Sequence, residues 1–547
     1  MNQKQQSEQK SSKKTTFQQF EQTDNDDKKN IYEDINNQYK QLYLERQKQK
    51  LQEKPQENQQ EQIQDKVKEN PQNNQVKSPF NFEFKEQKSQ FYINGLCQYP
   101  KEERTPYMIN FNEIFSKNPF YQFFNQTPQR QEIQSIFMTT YGFESQLLKP
   151  IIESGKYVKK KKKKLKKNKC TLHIQFVLAN DKSSEEKNLK NIIYEYEGFK
   201  NWTLIHPPKD ASVSWGGAFH PKLWLIKFNE FLRVVVGSGN LHICDWSVWS
   251  NCLWYQDFPL KKQQNAQKEK NQQQWDFEGD FSNTLIDIVN RMMPDNVKYQ
   301  NLLKIDLEEY DYSEVKIILL SNVPGRHLNI QKHGLGKLNA IINAFGQQNK
   351  QKIITYESST LGNIDNKFLN EFYKSVNLAS CDFQKNSKEN IKDIQNQFKV
   401  IFPTKKYICQ DTLYGIEYAS PVILNEKYYS NEKFIKDVFY QFECPKGYFY
   451  HSGVIPHLKV MVVNDKEDQI SDDSLIYVGS HNFTGAAWGR YEKNYSQIYC
   501  MNTELGVVYP PIKDSKDIKQ EIINSLSFSI YPNKYEKTTV PYTRNFQ

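Results

Sequence analysis

Apolar residues along most of the chain fall into short blocks with strand-like or helix-like spacing. Phe91-Tyr92-Ile93 opens a mixed apolar segment near Gln90, and Ile136-Phe137-Met138, running into Thr139-Thr140-Tyr141, predicts the first core strand. Leu147-Leu148 and Ile151-Ile152 predict a helix behind it. From Thr171 to Leu178 the pattern alternates and then turns wholly apolar, as a buried strand does. Leu285, Ile286, Ile288 and Val289 form a stripe that predicts a helix over Phe281 to Met293, and Val315 to Leu320 predicts a strand before Pro324-Gly325. Strand and helix signals then alternate to the end, with a domain boundary expected near 312.

Three stretches have no such period. The first 77 residues hold 19 Gln and no Gly, Cys or Trp, a composition that cannot bury enough apolar surface to offset the entropy of ordering. A disordered tail over 1–87 is expected, with a transient helix around Ile31 to Leu51. Lys156 to Lys169 contains ten lysines and no acidic residue, which predicts a surface loop between a helix and a strand. The polar insert 261–274 is expected to be a mobile loop. About 460 residues remain, enough for two sizeable cores over 88–312 and 313–547.

The 547-residue chain has a formal charge of +10, but without the ten lysines of that loop basic and acidic groups balance at 64 each. The excess is local, which argues against a uniformly basic, histone-like protein. Met1 to Asn30 has no apolar core of a signal peptide, and no run approaches the roughly 20 apolar residues of a membrane helix. A soluble intracellular protein is expected, with its eight scattered cysteines as reduced core thiols.

One pattern occurs twice. His220-Pro221-Lys222-Leu223-Trp224-Leu225-Ile226 precedes a turn at Asn229-Glu230 and then Arg233-Val234-Val235-Val236-Gly237-Ser238-Gly239-Asn240. His457-Leu458-Lys459-Val460-Met461-Val462-Val463 precedes a polar loop and then Leu475-Ile476-Tyr477-Val478-Gly479-Ser480-His481-Asn482. Each reads as strand, connection, strand and G-S-x-N turn. Residues two apart on a strand share a face, so His220 and Lys222 lie together, as do His457 and Lys459. Two such halves facing each other would gather two imidazoles, two ammoniums and the amides of Asn240 and Asn482, a set suited to a tetrahedral oxyanion such as phosphate. A lone H-x-K means little in so lysine-rich a chain; the duplication, with His-to-Asn separations of 20 and 25 residues, carries the signal. The other seven histidines lack this context.

These motifs resemble the phospholipase D superfamily and, within it, the tyrosyl-DNA phosphodiesterase family. Lys227 and Asn464 stand where the lipase and nuclease branch has Asp after each H-x-K, as the tyrosyl-DNA phosphodiesterases also lack it. Similar flanks are Asn240 to Trp246, Val323-Pro324-Gly325-Arg326, Ala486-Ala487-Trp488-Gly489 and Glu504-Leu505-Gly506-Val507. The resemblance runs from about Phe91 to Tyr542 and implies an α/β fold of two phospholipase D-like α-β-α domains, with mixed sheets flanked by helices and one active site at their pseudo-twofold interface. After Tyr542 the chain stops at Gln547, whereas the family usually continues through an Asp-x-Pro-Trp-like segment.

It implies further that His220 is the nucleophile, that His457 is the general acid and then base, and that Lys222, Lys459, Asn240 and Asn482 hold the nonbridging oxygens. Glu504 matches the acidic residue that orients a catalytic histidine, and Asn251 stands where the family usually has Gln. For substrate, Ser358 and Ser359 match a Ser pair in the strand groove, Thr484 replaces a Ser beside the second Asn, and Ser238 and Ser480 belong to the G-S-x-N turns. Trp215 and Phe219 either stack on a terminal base or pack in the core. The implied partner is a DNA 3′ end, single-stranded or duplex, carrying a topoisomerase I-derived peptide. No cofactor, metal or membrane is implied, and a monomer in the nucleus is expected. Two other readings stay open: another nuclease or phospholipase of the superfamily, and a catalytically silent DNA-end-binding protein.

Overall fold

The computed structural model describes residues 89–95, 107–115, 133–145, 147, 173–178, 202–207, 217–261, 275–294, 296–348, 351–384, 391–445, 453–465 and 469–545. The tail, the helix over Ile31 to Leu51, the lysine loop, nearly all of the 261–274 insert, Trp215, and all but Leu147 of the apolar residues that predict the helix near 150 lie outside them. The described residues all belong to one compact unit formed by 86–96 and 104–547.

Two large mixed sheets dominate. The first has the order Met108–Ile109, Phe91–Asn94, Cys252–Pro259, Phe231–Gly237, Leu223–Lys227, Ser135–Thr140, His173–Leu178 and Trp202–Ile205. The second has the order Ile318–Asn322, Glu504–Tyr509, Leu475–Gly479, Lys459–Asn464, Ile353–Ser358, Phe398–Phe402 and Phe439–Gln441. Each is built on the same plan: an antiparallel hairpin that follows H-x-K, three mutually parallel strands on one side of it, and an antiparallel strand on the other. No strand of the first sheet lies beyond residue 259 and none of the second before 318.

The sheets form where apolar periodicity predicts them. The hairpin strands are buried almost throughout, as the near-continuous Val, Ile and Leu runs demand of strands covered on both faces. The expected helix over Phe281 to Met293 spans Phe277–Arg291: the Asp276 carboxylate accepts the Gly279 N–H at 3.0 Å and starts it early. Its stripe of Phe281, Leu285, Ile288 and Val289 is buried, and Phe281 packs edge-on against Trp254. The strand expected from Val315 begins only at Ile318, because the Val315 N–H closes a turn on Tyr312 O. Cysteine burial differs from expectation: of the described cysteines only Cys252 and Cys500 are buried, while Cys381 and Cys409 are exposed.

Glycine is required where the second sheet crowds. Gly479 and Gly506 are paired across neighbouring strands, and a Cβ on Gly506 would enter the Tyr477 ring. That ring cannot retreat, because Tyr477 Oη bonds the His481 side chain at 2.5 Å and accepts the His481 N–H at 3.1 Å. Gly506→Ala should therefore destabilise the fold by about 1–3 kcal/mol through overpacking, read as a lower midpoint in urea denaturation.

Candidate active site

The H-x-K residues lie just ahead of their strands: the first hairpin begins at Leu223 and the second at Lys459. His220 and His457 are thereby left at the sheet ends, where each is pinned by the opposite half. The His220 N–H donates to Thr503 O and the His457 N–H to Ser250 O, both at 2.9 Å. Phe219 is fully buried in a bridge to Thr503, so it packs in the core and is not offered to a base.

Side chains repeat the crossing. His220 Nδ1 lies 2.9 Å from Glu504 Oε2 and 2.9 Å from Ser480 O. A carbonyl oxygen can only accept, so Nδ1 carries the proton and Nε2 presents a lone pair. Asn502 Nδ2 donates to the other Glu504 oxygen at 2.9 Å, and Ser480 Oγ donates to Oε2 at 2.5 Å. His457 Nδ1 lies 2.7 Å from Asp245 Oδ1, across 212 residues of sequence. The Glu504 carboxylate thus lies against the His220 imidazole. The partner of His457 is Asp245 on the helix Ile243–Ser247, and the contact expected for Asn251 is indirect: its Nδ2 donates to Asp245 Oδ1 at 3.1 Å and its Oδ1 accepts from Ser238 Oγ at 2.8 Å.

Both lysines are buried, and each ammonium donates to the carbonyl of its own histidine, Lys222 to His220 O at 2.7 Å and Lys459 to His457 O. Burial and the neighbouring Lys459 charge pull the Lys222 pKa well down, and burial brings Lys459 to about 8. The histidines are likewise lowered, His457 to about 3, first by burial and then by the Lys459 charge, with Asp245 acting in the opposite direction. Burial opposes ionisation of the carboxylates, yet the imidazoles beside them hold Glu504 and Asp245 at about 2. The site therefore has neutral imidazoles, ionised carboxylates and two buried lysines whose charges oppose each other.

The remaining predicted residues are mostly engaged within the protein. Ser358 Oγ and Ser359 Oγ, both buried, lie 3.2 and 3.5 Å from Asn482 Oδ1, which directs its NH₂ away from them. Thr484 Oγ1 caps the helix Gly485–Trp488 by accepting from Ala487 N at 3.1 Å. Ser238 and Ser480 brace Asn251 and Glu504 as described. Asn240 is buried, with its carbonyl accepting from Trp246 Nε1 at 2.9 Å. Two aromatic neighbours were not singled out in sequence. Tyr141, about half exposed, meets the His220 ring edge-on, and Trp249 meets that of His457, at centroid distances of 5.7 and 5.6 Å.

Two imidazoles with carboxylate-backed Nδ1 atoms, set among buried lysines and amides at the ends of two like sheets, go with a phospholipase D-like fold. The family model for tyrosyl-DNA phosphodiesterase matches residues 91–547, and the chain belongs to that family. Tyrosyl-DNA phosphodiesterase 1 of Arabidopsis thaliana is 28% identical over 325 residues, covering 57% of this chain and 49% of the relative. The chain thus spans about half the length of that curated relative. The yeast tyrosyl-DNA phosphodiesterase structure shares the fold with a TM-score of 0.55 at 13% identity, over 84% of this chain and 99% of that one. A mutant of the yeast protein gives 0.57 at 14% identity, over 83% and 98%.

Lys459 is needed as an ammonium to hold an anion, and it loses its proton as pH rises through about 8. Binding of tungstate, whose own charge is constant over this range, should weaken as pH rises from 7 to 9. Titration calorimetry at several pH values checks this.

Proposed function

We propose that the protein hydrolyses the 3′-phosphotyrosyl bond between DNA and a trapped topoisomerase I peptide, as a nuclear repair phosphodiesterase acting as a monomer. What supports this reading is the pair of oppositely backed imidazoles. The tautomer held by Glu504 and Ser480 O aims the His220 Nε2 lone pair outward, as a nucleophile needs. A phosphodiester anion entering between Lys222 and Lys459 offsets the lysine charge that, after burial, disfavours the His457 imidazolium. His457, its Nδ1–H on Asp245, then takes up a proton at Nε2 and delivers it to the tyrosine oxygen as the phosphohistidine forms. The resulting neutral imidazole is the base that activates water to release a 3′-phosphate. Lys222, Lys459, Asn240 and Asn482 stabilise the charge on the nonbridging oxygens, and with two ammoniums in that role we infer that turnover needs no metal.

A single-stranded oligonucleotide bearing a 3′-phosphotyrosine, incubated with the protein in EDTA, should be converted to a 3′-phosphate end; absence of turnover, or turnover only with added metal, would overturn the reading. His457→Ala should slow release on the order of 10²-fold, so that a covalent DNA adduct accumulates on denaturing gels. The same adduct in His220→Ala would show that the nucleophile lies elsewhere.

A further inference from the structure

The two halves back their histidines by different means. In the second, Leu505 N donates to Ser480 Oγ at 2.9 Å, and Ser480 Oγ donates to Glu504, which reaches across to His220. In the first, Cys252 N donates to Ser238 Oγ at 3.0 Å, and Ser238 Oγ donates to Asn251. Asn251 therefore occupies the place that Glu504 has in the repeat. Its arm ends at Asp245, where Nδ2 donates to the backbone oxygen at 2.9 Å as well as to Oδ1. It is the Asp245 carboxylate that accepts the Nδ1–H of His457.

We propose that Asp245 is the positioning residue that makes His457 a proton donor, with Asn251 holding Asp245 in place. This rests on the reading of His457 as the acid in tyrosyl release. The surroundings of the pair support it: Asp245 is fully buried, His457 nearly so, and Trp249 closes one side of the imidazole. The charges that act on His457 are Lys459 and Lys222, which oppose the imidazolium, and Asp245, which favours it. An amide at this place would accept the same Nδ1–H and fix the same tautomer, but it would bring no charge to balance the imidazolium.

The consequence falls on one bond. The His220 Nε2 lone pair forms the N–P bond, the P–O bond to tyrosine breaks with its electron pair on oxygen, and the proton on His457 Nε2 moves to that oxygen. His457 is left neutral with Nδ1–H still on Asp245. A leaving group that departs readily as an anion does not need that proton.

Asp245→Asn keeps shape and an acceptor oxygen for Nδ1–H while removing the charge. In the full chain, single-turnover adduct formation is measured with two oligonucleotides, one carrying a 3′-phosphotyrosine and one a 3′-(4-nitrophenyl) phosphate. The tyrosyl rate should fall on the order of 10²-fold while the nitrophenyl rate changes by less than about threefold. The ratio of the two rates does not depend on the fraction of protein that is folded, so a loss of stability cannot imitate the result. Equal losses on both substrates, or none on either, would overturn the proposal. The parent reading is tested separately, by wild-type turnover of the tyrosyl substrate.

Discussion

The site depends on a crossing. Each histidine is carried by one sheet and fixed by the other: His220 by Thr503 O and the Glu504 carboxylate, His457 by Ser250 O and the Asp245 carboxylate. The backbone follows the same rule, since Ile455–Pro456 pairs in parallel with Trp249–Ser250. Neither half contains an oriented imidazole by itself. The docking of the sheets is therefore what creates the reactive geometry, and core packing far from the histidines is felt at their ring nitrogens because close-packed interiors transmit displacement.

This geometry holds buried charge in an unfavourable arrangement. The buried Lys222 and Lys459 side chains act on each other, and the Glu357 carboxyl, buried with no hydrogen-bond partner for either oxygen, is the charge that most favours the Lys459 ammonium while its own burial pushes its pKa well up. Burying like charges is costly unless something pairs them. An oxyanion between Lys222 and Lys459 would supply that pairing.

Much of this was legible in the sequence for local reasons. Hairpins, their buried faces and the doubled H-x-K with G-S-x-N are written in residues close together in the chain, and duplication separated signal from a high lysine background. The misses are all contacts between distant segments. Asp245 lies 212 residues from His457, on a helix of five residues with no periodicity to announce it; its one available signal was an acidic residue among apolar neighbours shortly after Asn240. Ser358 and Ser359 have the type and place of ligand-binding hydroxyls, but whether a hydroxyl faces a ligand or Asn482 is decided by the register of Ser358 opposite Lys459, which no single segment reveals. Phe219 and the exposed Cys381 and Cys409 show the same limit, since residue type sets only a tendency to be buried.

A duplicated fold would tend to give two equivalent histidines, yet a nucleophile and an acid need different properties. The halves differ at the points that matter. His220 Nδ1 has two acceptors, a carboxylate and the Ser480 carbonyl, both of which push electron density toward Nε2 and favour attack. His457 Nδ1 has a carboxylate as its acceptor, and its proton affinity is lowered first by burial, with the Lys459 charge opposing Asp245. Glu504, backed by Ser480, reaches the opposite imidazole itself, whereas Asn251, backed by Ser238, ends at Asp245 and leaves that carboxylate to meet His457, and this is where the repeated halves part.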